Sequence, residues 1–356
     1  MKVSQDKVRG MFLGIAIGDA LYMPVETWSA EQIADKHGRL TSYIRPDGHK
    51  WFDGRDAGTW TDDTQLTLVV AESLIAKGKI DLDDLASRHV ESLRKDGDRG
   101  FGGTTREAIK NLASGVHWSK SGKSKNPKHG IGNGMTMKVA PLGAFRASAI
   151  WSELWVEERS KFIDNLVHFT LMTHNSKMAV ESTLAHVYAT DICLNHDPIK
   201  DFPLESFFKQ IIKMSDFINY RSPTAEPELT LTSRLEMLRR FKVESLTQDV
   251  IISAFDSGTS YVYDSLPFSY AFLIRNPRSI ETLYDVGNAG GDTDTNASIV
   301  GGLLGALNGT SIFPQHLIDG LWQKERIIDT ADRFYDRFFI INPSSRKATK
   351  DKEGNQ

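Results

Sequence analysis

Apolar residues in this chain return every three or four positions almost from end to end, and two-residue alternation is scarce, which restricts the fold to packed helices. Val8, Phe12, Ile15 and Ala16 share one helical face. So do Phe162, Ile163, Leu166, Val167 and Thr170, and so do Val300, Leu303, Leu304 and Leu307, with Asn308-Gly309 as a stop signal. The same spacing predicts helices over roughly 64–77, 105–113, 177–191, 204–218, 230–242, 266–275 and 315–339. There is no run of β-α units and no glycine-rich turn after a strand, which disfavours a nucleotide-binding α/β fold. No internal repeat or linker divides the chain. It reads as one all-α domain over residues 1–345, a compact orthogonal helical bundle, with a polar tail at 346–356.

A chain of 356 residues can bury a sizeable core. Its formal net charge of −3 gives no reason to expect nucleic acid or an acidic membrane as partner. The lysine-rich stretch 117–130 has a single aromatic and reads as a solvated loop. One cysteine, Cys193, excludes an intrachain disulfide and fits a reducing compartment. Lys2, Lys7 and Arg9 before the apolar run Met11–Ile17 mimic a signal peptide, but Asp19 closes the run and no small-residue cleavage site follows. The run is expected to be a buried helix, no stretch is expected to approach the ~18 apolar residues of a membrane span, and a cytoplasmic location is expected.

Two acidic clusters carry the chemistry. One is Thr61-Asp62-Asp63-Thr64, the other Asp292-Thr293-Asp294-Thr295, and each directly precedes an apolar helical run. Helix capping is the plain explanation, since Asp and Thr side chains accept the free N–H groups of a helix start. A cap needs one acceptor, however, and paired carboxylates repel unless a cation neutralises them. Oxygen ligands without His or Cys suit Mg²⁺, Mn²⁺ or Ca²⁺ rather than zinc. If the clusters meet, four carboxylates and flanking hydroxyls form a central dinuclear metal site. After Asp294 come Gly301, Gly302 and Gly305 inside a helical run. Each costs about 1 kcal/mol against Ala, so another helix backbone is expected to approach there.

In order along the chain stand GMFLGIAIGDALYMPVE, TWTDDT, RGFGGTT, GNGMTMKVAPLG, MTHNSKMA, YVYDSL and GNAGGDTDTNASIVGGLLGALNG. Over residues 8–309 this series resembles the ADP-ribosylglycohydrolases, the family of dinitrogenase-reductase-activating glycohydrolase. The resemblance implies a hydrolase that frees ADP-ribose from mono-ADP-ribosylated protein with two Mg²⁺ or Mn²⁺ ions. It implies metal ligands at Thr61, Asp62, Asp63, Asp292, Asp294 and Thr295, and a gating or catalytic role for Glu26, with Asp62 and Asp63 in the catalytic set. It implies that Gly100, Gly102 and Gly103 cradle ribose and diphosphate, and that Asn133, Gly134 and Thr136 form a second cradle. His174 matches the family histidine, and Tyr261 a tyrosine lining the adenine side. Taken alone, Glu26 reads as a surface glutamate, His174 as a structural histidine and Tyr261 as core. Asn195-His196-Asp197, with Pro198 after it, reads as a turn.

This chain departs from the family pattern at three places. Tyr22 stands where many relatives have glycine and is expected to narrow the mouth of the site. Lys138 replaces a common arginine, turning a bidentate contact into a point charge. Gly100 stands where some relatives carry aspartate, with Asp98 two residues away. An N-glycosidic ADP-ribosyl-arginine linkage is the leading expectation. An O-linked ADP-ribose, on serine or a small metabolite, is the alternative within the family, and a catalytically lapsed ADP-ribose-binding relative is a third. Keeping all six candidate ligands argues against lapse. A helical prenyl-diphosphate enzyme is disfavoured because Thr64, Gln65 and Leu66 follow Asp62-Asp63 where DDxxD would place its third acid.

Overall fold

In the computed structural model residues 3–126, 128–216 and 230–340 are described; the tail expected at 346–356 lies outside them. The fold is organised on one helix pair. Gly10, Gly14 and Gly18 recur at four-residue spacing along the helix Gln5–Tyr22, which puts them on one face. Gly301 and Gly305 do the same along Thr293–Asn308. The helices run antiparallel with their glycine faces together. A Cβ added at Gly14 would lie 2.0 Å from the Gly301 carbonyl oxygen, one at Gly305 1.9 Å from that of Gly10, and one at Gly18 2.2 Å from that of Ala297. Gly302 makes room for Ile15, whose Cγ1 would lie 2.7 Å from an added Cβ. The backbone approach expected of Gly301, Gly302 and Gly305 is thus filled by the first helix.

One expectation needs correcting. By length and composition the segment Gln5–Val25 holds an 18-residue stretch, of mean hydropathy 1.3, apolar enough to cross a membrane, and 94% of that stretch is buried inside the protein. A further clamp holds this helix: the buried Lys7 Nζ donates to the carbonyls of Cys193, Leu194 and His196, at 3.3, 3.0 and 2.5 Å. These are the free carbonyls at the end of the helix Lys177–Asn195, where a cation also suits the dipole.

The remaining helices wrap this pair, and among the described residues there is no β-strand, only two isolated bridges. The predicted helices appear as Asp62–Lys77, Gly103–Ala113, Lys177–Asn195, Leu204–Ser215, Leu231–Arg240 and Val262–Arg275. The last contains Pro267, which has no N–H for the Tyr263 carbonyl; Arg234 Nε donates to that carbonyl instead, at 3.3 Å. The helix expected over 315–339 is two, Gln315–Asp319 and Lys324–Phe339. Between them Trp322 turns back on the first acidic cluster: its N–H donates to the Gly58 carbonyl and its carbonyl accepts from Trp60 Nε1. Leu82–Asp96 was not predicted; it is amphipathic, opened by an Asp81 cap.

One apolar core reaches from Val3 to Phe338. A smaller cluster of Leu66, Val69, Phe101, Ile109 and Met137 joins the back of Asp62–Lys77 to Gly103–Ala113 and the 133–138 turn. It fixes three site-bearing segments to one another. Because the central pair meets backbone to backbone, Gly301→Val is expected to cost about 1–3 kcal/mol or more, as overpacking does. Its Cβ would lie 2.1 Å from the Gly14 carbonyl oxygen. An unchanged urea midpoint would show that the pair can part without loss.

Candidate active site

The site lies where the first helix ends and two others begin. Asp19, near the C-terminal end of Gln5–Tyr22, is fully buried and accepts four hydrogen bonds from the start of Asp62–Lys77. They come from the N–H and hydroxyl of Thr61 and from the N–H and hydroxyl of Thr64, at 2.6–3.0 Å. Asp19 therefore does the capping, and Asp62 and Asp63 are left free to face inward; Thr61 itself makes no side-chain cap bond. Asp292 likewise heads Thr293–Asn308 without a side-chain cap bond. In the second cluster Asp294 Oδ1 accepts the Thr295 N–H at 2.8 Å, so capping accounts for one acid oxygen there and leaves the other acids unexplained.

Past Tyr22 the chain makes a single 3₁₀ turn, Met23–Val25, that delivers Glu26. The segment is then tied to the second cluster: Thr27 N–H donates to the Gly291 carbonyl at 2.8 Å, and Gly291 N–H to that of Trp28 at 2.9 Å. Glu26, Asp292 and Asp294 each present an oxygen within 4.8 Å of the others. Thr295 Oγ1 donates to Asp63 Oδ2 at 3.3 Å, joining residues 232 positions apart. Asn133 Nδ2 donates to Asp292 Oδ2 at 2.7 Å and to Ser265 Oγ at 3.1 Å. Asn133 thus orients a carboxylate as well as lining the cavity.

The electrostatics are those of a cluster short of positive charge. Burial, then Asp292 and Asp62, push the Glu26 carboxyl up to about 9. Burial, then Asp19, raise Asp62 to about 7. Asp63 and Asp294 are pushed well above the usual carboxylate range, first by burial and then by neighbouring acids. Burial also raises Asp292 and Asp19, against the hydrogen bonds that each accepts. Asp63 Oδ1 is buried without a hydrogen-bond partner, an arrangement that costs free energy unless a cation fills it. An all-oxygen set that includes an orphaned, buried carboxylate oxygen fits a hard divalent ion.

The acids form the floor of a cavity of 270 Å³ that Gly100, Gly102, Gly103, Asn133, Gly134, His174 and Tyr261 also line. Gly100 has φ +136°, and an added Cβ would meet Asp62 Oδ1 at 3.0 Å, so a side chain there would press on the acid. Gly102 stands at the start of Gly103–Ala113 with no side chain capping it, leaving the first N–H groups of that helix available to an anion. Gly134 fits between His174 and Thr105, 3.1 and 3.2 Å from an added Cβ. The His174 ring is held neutral by burial, then by Lys138 nearby, and its Nδ1 shares a hydrogen bond with Thr173 Oγ1 at 2.9 Å. Tyr261 is not core: it is half-buried at the cavity wall, stacked on Tyr263 at 5.7 Å.

Several expected residues sit elsewhere. Thr61 lies behind the cavity wall and gives its hydroxyl proton to Asp19, because the helix start turns its side chain toward that buried acceptor. Thr136 is fully buried and bonds Ser182 Oγ at 2.9 Å, so it does not reach the cavity. Tyr22 does not narrow any mouth. It is fully buried, with its ring against Gly287 and its hydroxyl donating to the Leu40 and Tyr284 carbonyls. Lys138 offers no point charge to a ligand; it is buried over the Phe169 ring, and burial lowers its ammonium to about 7. Asp98 accepts from Gly100 N–H, Phe101 N–H and Arg106 Nε, so it shapes the glycine loop. Asp19 and Arg99 were missed. Arg99 stacks against the Trp60 and Trp322 rings and donates to the Trp60 carbonyl, bracing the first cluster.

A family model described as ADP-ribosylglycohydrolase matches residues 2–340. ADP-ribosylarginine hydrolase Tri1 of Serratia proteamaculans is 25% identical, over 93% of this chain and 80% of the relative. Mouse ADP-ribosylhydrolase ARH3 is 25% identical, over 88% of this chain and 86% of its own. The fold is also that of a solved ADP-ribosylglycohydrolase-related protein complex, with TM-score 0.59, 24% identity, and coverage of 94% and 98%. An all-helical chain with paired acids at two helix starts, matched over nearly its whole length, belongs to the ADP-ribosylglycohydrolase family.

Proposed function

We propose that this chain frees ADP-ribose from mono-ADP-ribosylated protein and that the bond it cleaves is the N-glycosidic link to arginine. Two divalent ions, Mg²⁺ or Mn²⁺, are held in this reading by Asp62, Asp63, Asp292, Asp294 and Thr295. The carrying observation is the meeting of Glu26, Asp292 and Asp294, together with an Asp63 that touches Thr295 and keeps one buried oxygen without a protein donor. Bound ions would neutralise the cluster and polarise ribose oxygens next to the anomeric carbon. The chain's own groups do the rest. The open start of Gly103–Ala113 and the Lys128 side chain on the cavity wall face the diphosphate. The neutral His174 ring and Tyr261 offer faces to the adenine. Glu26, between the acids and the glycine loop, is the carboxyl placed to move a proton to the leaving group. A reducing, cytoplasmic setting suits the buried free thiol of Cys193.

The Serratia relative is named for its action on ADP-ribosylarginine, which supports the arginine link. An O-linked bond is the second reading. It is favoured by Lys50, Arg55 and Arg106 beyond Glu26, which are poor company for a guanidinium leaving group. Mono-ADP-ribosylated arginine and serine peptides, each with Mg²⁺, Mn²⁺ and EDTA, separate the two. Metal-dependent release from the arginine peptide is expected. Release from the serine peptide alone would overturn the linkage, and release from neither would overturn the function.

A further inference from the structure

A second cavity, of 540 Å³, opens on the other side of Glu26. It shares Glu26, Phe52 and the glycine loop with the first, but none of the aspartates, nor Asn133, His174 or Tyr261. With ADP-ribose in the first cavity and its terminal ribose at the acids, the space next to that ribose beyond Glu26, a residue both cavities share, would be left for the leaving part. Its size falls within the range of ligand pockets. Its walls are cationic and aromatic. Trp51 is 51% exposed, and Lys50 Nζ lies 5.0 Å from its ring centroid. The Arg55 guanidinium lies 4.8 Å over the Phe52 ring and donates to the Arg99 carbonyl. Arg106 is bound to Asp98 at 2.6 Å, but among the described residues no carboxylate lies within ion-pair distance of Lys50 or Arg55.

We infer that this second cavity is the subsite for the leaving part of the substrate, and that it selects an acidic polypeptide segment around the modified residue. Lys50 and Arg55, which make no ion pair although Arg55 feels Asp19, Asp62 and Asp98 at longer range, outweigh the lining Glu26 and the Arg106-bound Asp98 and set the sign of the charge it favours. The exposed Trp51 face supplies a flat apolar wall for an extended backbone. The inference rests on the reading of the first cavity as the ADP-ribose site, since that reading fixes the direction of the scissile bond.

The test uses two mono-ADP-ribosylated peptides with the linkage the enzyme cleaves, one flanked by Asp and Glu, the other by Lys. The full chain and its Lys50→Glu variant are compared by kcat/KM at low ionic strength, and free ADP-ribose affinity is measured by calorimetry. The parent should prefer the acidic peptide by about fivefold, a preference that added salt weakens. Lys50→Glu should erase or invert it while shifting ADP-ribose affinity by less than about twofold, because the product has no leaving part. Trp51→Ala should lower kcat/KM for both peptides. Equal use of the two peptides by parent and variant would overturn the inference and leave the functional reading standing. A drop of about tenfold in ADP-ribose affinity on Lys50→Glu would overturn it too, by assigning the diphosphate to this cavity. Cleavage of neither peptide by the parent would overturn the functional reading and the inference together.

Discussion

Asp294→Ala is expected to abolish hydrolysis while leaving the metal-free chain at least as stable as the parent. Asp294 is buried among Glu26, Asp292 and Asp63, and its carboxyl is pushed well above the ordinary range. In the metal-free fold it is therefore a cost, and removing it relieves repulsion. With a divalent ion present the same carboxylate is a ligand. Its loss should lower activity by more than about a hundredfold, since even outer partners of a metal are worth 10–100-fold. Thermal melts of parent and variant, each with EDTA and with Mg²⁺, read the two effects separately. At a hundredfold excess over Kd the ion should stabilise the parent by about 2.7 kcal/mol, and the variant far less. A cap would behave differently, with a loss of about 0.5–2 kcal/mol in both conditions. Equal lowering of both melts would remove the metal site from consideration.

The second large effect is on pH. The folded, metal-free chain should lose stability as the pH rises from 6.5 to 9. Glu26 titrates at about 9 and Asp62 at about 7, against 4.5 and 3.8 in the unfolded chain. Asp63 and Asp294 are raised in the same direction, first by burial. Across this window the folded state holds protons that the unfolded state has released, so stability falls with pH by about 1.4 kcal/mol per unit for each such proton. Lys138, lowered to about 7, and Lys7, also lowered by burial, work the other way but are fewer than the raised acids. Below pH 6.5 the buried neutral rings of His89, His174 and His186 bind protons only on unfolding, which cancels much of the gain from further acid. Saturating Mg²⁺ should flatten or reverse the slope, because the ion displaces those protons. A metal-free melting temperature that is level or rising between pH 6.5 and 9 would contradict the cluster's assigned charge state.

Much of this was legible in the sequence, for a physical reason. Paired carboxylates at a helix start exceed what capping needs, and glycines inside a helix demand a backbone neighbour. Both signals are local in sequence, so both can be read without coordinates. What escaped depended on where single side chains turn. Asp19 looked like the residue that ends an apolar run, whereas its burial makes it the acceptor that frees Asp62 and Asp63 from capping. Tyr22 follows Gly18 by four residues and so shares its buried face, against Gly287; its place next to the motif suggested a mouth instead. Lys138 was expected to offer a point charge to a ligand, because lysines are rarely buried, and only the packing of Phe169 and Thr173 around it reveals otherwise. Amphipathic Leu82–Asp96 carried a readable Asp81 start and Gly97 stop, but its many charges masked the period.

The glycine seam also sets a timetable for synthesis. The first helix leaves the ribosome early, apolar along most of its length, while the surface that covers it is encoded about 290 residues later, Gly14 waiting for Gly301. At ordinary elongation rates that interval is roughly 15–60 s. For that time the nascent chain carries an uncovered strip of close-packing glycine and aliphatic residues, the kind of surface that holdase chaperones shield and that sticks to other unfinished chains. Asp19, Glu26 and both acidic helix starts converge only when the strip closes, so metal-binding competence should appear late and all at once, after the last core helix has emerged.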